Sequence, residues 1–194
     1  TTLFRSLHKT NGTYTPEIWA GAFPEGEMES LDLVVLSPGV PTDLPLVKSF
    51  YEKGFPVWSE VELAYRTGKG EVLAITGTNG KTTTTALLGK IMGDARESVF
   101  VVGNIGTAYT SKSLEMREDS VTVAEISSFQ LETIEQFRPK VSAILNITED
   151  HLNRHHTMEE YIRVKEPGLW DLPPAQNPGM KKYIGLNPLA GSGK

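Results

Sequence analysis

Short apolar runs alternate along this chain with stretches in which apolar residues recur every third or fourth position, and the alternation becomes clear from Leu31 onward. Leu31–Leu36 reads Leu-Asp-Leu-Val-Val-Leu, which predicts a buried strand, and the prolines and glycine of Ser37-Pro38-Gly39-Val40-Pro41 force a loop after it. Leu46, Val47, Phe50 and Tyr51 then share one helical face, and Phe55–Trp58 predicts a second short strand. Ser59 is placed to cap a helix running through Arg66, with Glu62 three residues on to complete a capping box. Thr67-Gly68-Lys69-Gly70 reads as a linker. Beyond it the pattern predicts strand 71–75, helix 81–92, strand 98–102, strand 120–126, helix 128–137 and strand 141–145. Strands that alternate with helices pair in parallel and carry the helices on the sheet faces, an α/β fold.

The two ends are less patterned. Residues 1–28 carry turn signals at Asn11-Gly12, Pro16 and Pro24-Glu25-Gly26, with room for only a few short strands. From Pro167 on, Pro173, Pro174, Pro178 and Pro188 stand among glycines, which excludes a long helix or a central strand and predicts an irregular extension. Gly191-Ser192-Gly193-Lys194 looks like a phosphate loop, but neither a hydroxyl residue nor a helical pattern follows it.

With 194 residues, 39% of them hydrophobic, the chain suits one domain or two small ones built on a real core. A formal charge of -5 with mixed signs excludes the concentrated basic face that nucleic acid requires. The absence of cysteine excludes disulfides, thiolate nucleophiles and cysteine zinc sites, and suits a reducing compartment. No apolar stretch approaches a membrane span and the first residues lack the apolar core of a signal peptide, so a soluble, cytoplasmic protein is expected, with neither nucleic acid nor membrane as partner.

The strongest chemical signal is Ile75-Thr-Gly-Thr-Asn-Gly-Lys-Thr-Thr83. Backbone N–H groups at a helix N-terminus, the Lys81 ammonium and a Thr82 hydroxyl able to hold Mg²⁺ together neutralise a triphosphate. The usual phosphate loop would need glycine at position 75, where this chain has Ile75, so the loop is the shorter Gly77, Thr78, Asn79, Gly80, Lys81. Asn79-Gly80 is also a hairpin dipeptide. The apolar run Val72–Ile75 before it, and Ala86, Leu87, Leu88, Ile91 and Met92 after it, favour strand, loop and helix instead.

Ligands of an open parallel sheet sit beyond the carboxyl ends of its strands. There the chain places Gly103-Asn104, Glu125 and Asn146–His151 beside the glycine loop. A carboxylate within the apolar run Val-Thr-Val-Ala-Glu needs a cation, which is either Mg²⁺ or a lysine paired with it structurally. Ser127 and Gln130 form a capping box, so local capping and ligand contact are both open to them. Glu149-Asp150-His151 could coordinate a metal or orient a phosphate. His151 and His155 have helical spacing, yet the third ligand and the intervening glutamate of a zinc site are missing, and His155 and His156 read as surface residues. Lys165 lies near the end of a helix that Thr157 and Glu160 open as a capping box; by itself it reads as an exposed lysine.

Gly-Thr-Asn-Gly-Lys-Thr, Gly-Asn-Ile-Gly, Glu-Ile-Ser-Ser-Phe-Gln-Leu-Glu and Asn-Ile-Thr-Glu-Asp-His-Leu, in this order, resemble the Mur ligases over about residues 30–166. Ser-Ser-Phe-Gln-Leu-Glu and Leu-Ser-Pro-Gly-Val-Pro resemble in particular the branch that adds D-glutamate. The resemblance implies a parallel-sheet P-loop ATPase domain at 68–166, preceded at 1–67 by a remnant of a Rossmann-like domain that binds uridine diphosphate. Residues 167–194 have no counterpart in the resemblance. It further implies a monomeric ATP-dependent ligase that phosphorylates the carboxylate of UDP-N-acetylmuramoyl-L-alanine and lets the amine of D-glutamate displace the phosphate. Gly77, Thr78, Asn79, Gly80, Lys81, Thr82 and Thr83 would hold ATP. Thr82 and Glu125 would bind one Mg²⁺, and Glu125, His151 and a carbamylated Lys165 a second. Asn104, Ser127, Gln130 and His151 would contact the muramoyl substrate, Ser37, Pro38 and Gly39 its uridine diphosphate end, and Asp150 and Arg154 would border the site. Asn153 stands where the family usually has aspartate, residues 1–28 show no uridine-gripping turn, and the chain is shorter than a complete ligase, lacking the domain that supplies much of the D-glutamate and adenine contact. The alternative readings are a non-catalytic nucleotide-binding fragment and another Mur or folylpolyglutamate synthase-type ligase.

Overall fold

The computed structural model describes residues 3–10, 13–20, 23–165 and 183–185. Two compact units divide between Leu33 and Val34. In the first, β1 (Leu3–Thr10) and β2 (Thr13–Ala20) pair antiparallel with Thr10 opposite Thr13, and a 3₁₀ helix spans Glu25–Ser30. These eight-residue strands are longer than the sequence suggested. Runs such as Leu-Phe-Arg-Ser-Leu-His-Lys-Thr have no clean alternation to announce a strand, and the ladder between the two strands defines them.

The second unit opens with β3 (Val34–Leu36), α1 (Pro45–Glu52), β4 (Val57–Ser59) and α2 (Glu60–Thr67), β3 and β4 pairing in parallel. The five-stranded sheet follows. It contains β5 (Glu71–Thr76), β6 (Val99–Gly103), β7 (Val121–Glu125), β8 (Val141–Ile144) and β9 (Tyr183–Gly185) in the order β6-β7-β5-β8-β9, every neighbouring pair parallel. The parallel pairing expected from the alternation is present. β9 departs from the irregular tail that was expected: Tyr-Ile-Gly pairs at the sheet edge, where a strand this short fits among the prolines. The rest of that tail lies outside the described residues.

The core joins α2 to the sheet. Val61 and Ala64 of α2 share one buried cluster with Val72, Ala74, Val102, Ala124, Ile126 and Phe137. Beneath it, the fully buried Glu62 carboxylate accepts the backbone N–H groups of Glu135 (2.9 Å), Gln136 (2.8 Å) and Phe137 (2.9 Å) and the Arg66 guanidinium. Only half of the predicted capping box forms. Ser59 Oγ accepts the Glu62 N–H, but the Glu62 carboxylate goes to 135–137, where four donors outweigh the single N–H of Ser59, itself bonded to Thr133 O.

After β5 comes α3 (Lys81–Ala95), which approaches the sheet through small residues. Thr85 and Gly89 are its buried positions, and a Cβ on Gly89 would lie 2.3 Å from a Val101 methyl. Leu87 and Ile91, on the other side, stay 60% and 53% exposed. Three short helices are interspersed among the described residues of this unit: α4 (Thr110–Ser113), α5 (Ser128–Leu131) and α6 (Leu152–His155). α7 (Met158–Lys165) follows them. The helix expected over 128–137 stops at Leu131, since the 135–137 backbone is turned toward Glu62 instead.

Candidate active site

The loop between β5 and α3 is built as its sequence demands. Gly80 caps α3 in the left-handed region (φ 83°) and no side chain caps the helix, which leaves the first N–H groups of α3 to a ligand. The Lys81 ammonium folds back to donate to Gly77 O and Thr78 O, both at 2.9 Å.

A cavity of about 250 Å³ lies in front of this loop, lined by Thr78–Thr83 together with Asn104, Ile105 and Glu125. Three of the four clusters expected at the strand ends line this cavity, and the fourth, residues 146–151, bonds to the loop beside it through Asn146 and Thr148. Their approach requires Gly103: with φ 126°, its backbone passes so close to β7 that a Cβ would lie 2.1 Å from Glu125 O. Asn104 N–H donates to Glu125 O at 2.9 Å, and the Asn104 amide donates to the Glu125 carboxylate at 3.3 Å.

Glu125 is 2% exposed, and among the described residues that neutral amide is the only partner of its carboxylate; no lysine pairs with it. A buried carboxylate without a countercharge fits a cation, and the Thr82 hydroxyl lines the same cavity, so the pair offers the hard oxygen donors that Mg²⁺ takes.

The remaining predicted residues surround the loop from behind. Lys165, far from exposed, is 1% accessible and donates to Gly77 O (3.1 Å) and Thr76 Oγ1 (3.4 Å) beneath the loop. Burial, with the Lys81 ammonium facing the same carbonyl, pushes its pKa down to about 8, while Asp150 pulls the other way. α7 explains the misreading: amphipathic spacing placed Lys165 at a helix end, and only the tertiary packing shows that end tucked under β5.

His151, at φ 53°, packs its ring against Phe129 with centroids 4.9 Å apart and lies 3.4 Å from Asp150. No direct hydrogen bond or ion pair joins Glu125, His151 and Lys165 to one another. Ser127 and Gln130 form the full capping box of α5.

Arg154 reaches the other way. It donates to both oxygens of Glu132 and to Val40 O at 2.9 Å, tying α6 to the loop that begins at Ser37, Pro38 and Gly39, whose turn closes from Val40 N–H to Ser37 O. His155 is not the surface residue expected. It is buried between Phe129 and Tyr161, with Nε2 2.9 Å from Ser128 Oγ, and burial holds its pKa below the ordinary value. His156 is exposed.

Sequence reading missed Tyr161, whose hydroxyl lies 3.1 Å from Thr78 Oγ1 and whose ring lies under the Lys165 ammonium. Its only signal was its position four residues before Lys165 on the same helix face.

Lys165 yields a test of this geometry. Because its pKa is near 8 in the fold against 10.5 for a free lysine, the unfolded chain binds more protons between those values, so stability rises with pH across that window and is flat below it. Lys165→Met is expected to melt higher than the parent near neutral pH, with the gap closing toward pH 10.5, in buffer free of carbon dioxide. Parallel melting curves for the two proteins over the window would contradict the burial of an ammonium there.

Comparison with known proteins finds likenesses to one family over part of the chain. Residues 75–167 match the Mur ligase middle domain. The chain is 61% identical over 155 residues to the UDP-N-acetylmuramoylalanine–D-glutamate ligase of Lachnospira eligens, covering 80% of this chain and 34% of that protein. The ligase of the same name from Lachnoclostridium phytofermentans is 61% identical over 78% of this chain and 34% of its own length, and that from Clostridioides difficile 54% identical over 75% and 32%. The chain thus spans about a third of the length of these relatives.

Proposed function

We propose that this chain, whose residues 75–167 match the Mur ligase middle domain, supplies the ATP-binding site of a cytoplasmic ligase that joins D-glutamate to UDP-N-acetylmuramoyl-L-alanine in peptidoglycan synthesis. The observation that carries the reading is the shared cavity of the Gly77–Thr83 loop, Asn104 and Glu125. The names of the similar ligases supply the substrates.

A carboxylate is a poor acyl donor, and transfer of the γ-phosphoryl group of ATP to its oxygen makes a good one. The amine of D-glutamate then attacks the carbonyl carbon, the C–O bond to phosphate breaks, and phosphate and a proton leave. The chain's part is positioning and charge neutralisation. The first N–H groups of α3 face the phosphates, and Lys81 exchanges its two carbonyl partners for the β- and γ-phosphate oxygens. Thr82 and Glu125 would hold Mg²⁺, which supplies neutralisation of charge on the transferred group. Asn104, fixed against Glu125, presents its remaining amide capacity to the acceptor substrate at the same cavity.

Glu125, His151 and a carbamylated Lys165 would hold a second ion, the carbamate supplying an anionic oxygen donor. A depressed Lys165 pKa does leave more of the neutral amine that carbon dioxide requires. Ser127, Gln130, Ser37, Pro38 and Gly39 remain proposed substrate contacts, as do His151 and Arg154.

Titration of Mg-ATP into the chain is expected to show saturable one-to-one binding that disappears when Mg²⁺ is chelated. Binding that ignores the metal would remove the role given to Thr82 and Glu125, and no binding at all would remove the nucleotide site. Phosphate release that depends on both UDP-N-acetylmuramoyl-L-alanine and D-glutamate distinguishes a working ligase from a fragment that only binds nucleotide.

A further inference from the structure

One side chain beside the loop has no part in the chemistry above, although it makes the most organised contacts there. Asn146 follows β8. Its Oδ1 accepts the Asn79 N–H at 2.8 Å, its Nδ2 donates to Asn79 O at 3.0 Å, and its backbone carbonyl accepts the Thr78 N–H at 3.0 Å. A Cβ added to Gly77 would lie 3.1 Å from that same carbonyl, so the loop and the Asn146 backbone are in close contact as well. Two residues on, Thr148 N–H donates to Thr78 Oγ1 at 3.0 Å.

The side-chain amide thus pairs with Asn79 as a neighbouring strand would, through one donor and one acceptor. Two consequences follow. The N–H groups of Thr78 and Asn79 are spoken for, so phosphate oxygens must be met by the amides from Gly80 onward, together with Lys81. The loop is also held in its shape before any ligand arrives, and the ordering that binding would otherwise require is already done.

We infer that Asn146 is a positioning residue for phosphate binding: it fixes the Thr78–Asn79 turn so that the donors at the start of α3 face the phosphate chain. This rests on the nucleotide reading of the cavity, and it concerns the phosphates alone, so tripolyphosphate serves as a probe beside ATP.

The test uses the full chain and two variants, Asn146→Ala and Asn146→Leu, the second keeping most of the side-chain volume. Affinities for Mg-ATP and Mg-tripolyphosphate are measured well below the melting temperature, and exchange of the Asn79 amide hydrogen is followed in the same samples. Both variants are expected to lose on the order of tenfold in affinity, by the same factor for the two ligands, with the Asn79 amide losing protection. A purely structural role would move the melting temperature and leave the affinity of the folded protein where it was, which would overturn the inference. So would a loss seen with ATP and absent with tripolyphosphate. If one variant does not fold, the other decides by the same criteria. Failure of the unsubstituted chain to bind either ligand would remove the nucleotide reading and this inference with it, whereas binding that survives in the variants removes only the inference.

Discussion

Glu62→Ala is expected to destabilise the second unit by about 3–5 kcal/mol, the range for stripping one member from a buried charged cluster. The carboxylate is fully buried and receives three backbone N–H groups and a guanidinium, so its removal leaves the 135–137 amides without acceptors and Arg66 with only the half-exposed Glu135. Glu62→Gln should cost nearly as much, because its NH₂ would face donors. For a chain of this length the loss amounts to a fall in melting temperature of roughly 10 °C. Burial on its own would raise the Glu62 pKa; the Glu135 amide, Arg66 and the Gln136 and Phe137 amides outweigh it and hold the carboxyl below its ordinary value. The sign follows: this stabilisation is complete above 4.5, the ordinary value of a free glutamate, and fades as pH falls through the lowered folded value. Thermal melts of the parent and both variants, repeated in acid, check the whole account, and a Gln variant that melts with the parent would refute it.

Lys81→Ala is expected to weaken Mg-ATP binding by on the order of 100- to 1,000-fold, the effect of removing a charge-assisted partner from a desolvated phosphate. Isothermal titration of parent and variant measures it, and an unchanged affinity would dismiss the loop as a phosphate site. The substitution carries an internal control. Lys81 is one cause of the low Lys165 pKa, so its loss should raise that pKa and move the alkaline rise in stability upward. A variant that has merely misfolded would show no such shift.

Much of this molecule was legible in its sequence, and the limits have physical causes. Strands β5 to β8 and helix α3 announced themselves as short, largely apolar runs and a helical period opened by glycine, although for α3 the period located the helix and not its buried face, since Thr85 and Gly89 turn inward and Leu87 and Ile91 outward. The glycine loop was legible because its signal is local, contained in five successive residues and the helix they open. Glu125 could be singled out for the same reason, as a charge inside an apolar strand. Lys165, Tyr161 and His155 could not be placed, because their burial depends on α6 and α7 folding back beneath β5, a contact between segments about 80 residues apart. Glu62 shows the converse. Its spacing from Ser59 was right for a local cap, and a distant set of donors claimed the carboxylate instead.

The way α3 rests on the sheet has a mechanical consequence. With no side chain at Gly89 and a Val101 methyl where a Cβ would go, helix and sheet are in direct van der Waals contact, and close-packed surfaces slide or separate only at a large cost. A side chain at position 89 would wedge helix from sheet and tilt the head of α3, and with it the N–H groups proposed to meet phosphate, so the glycine sets the aim of those donors from about two turns away.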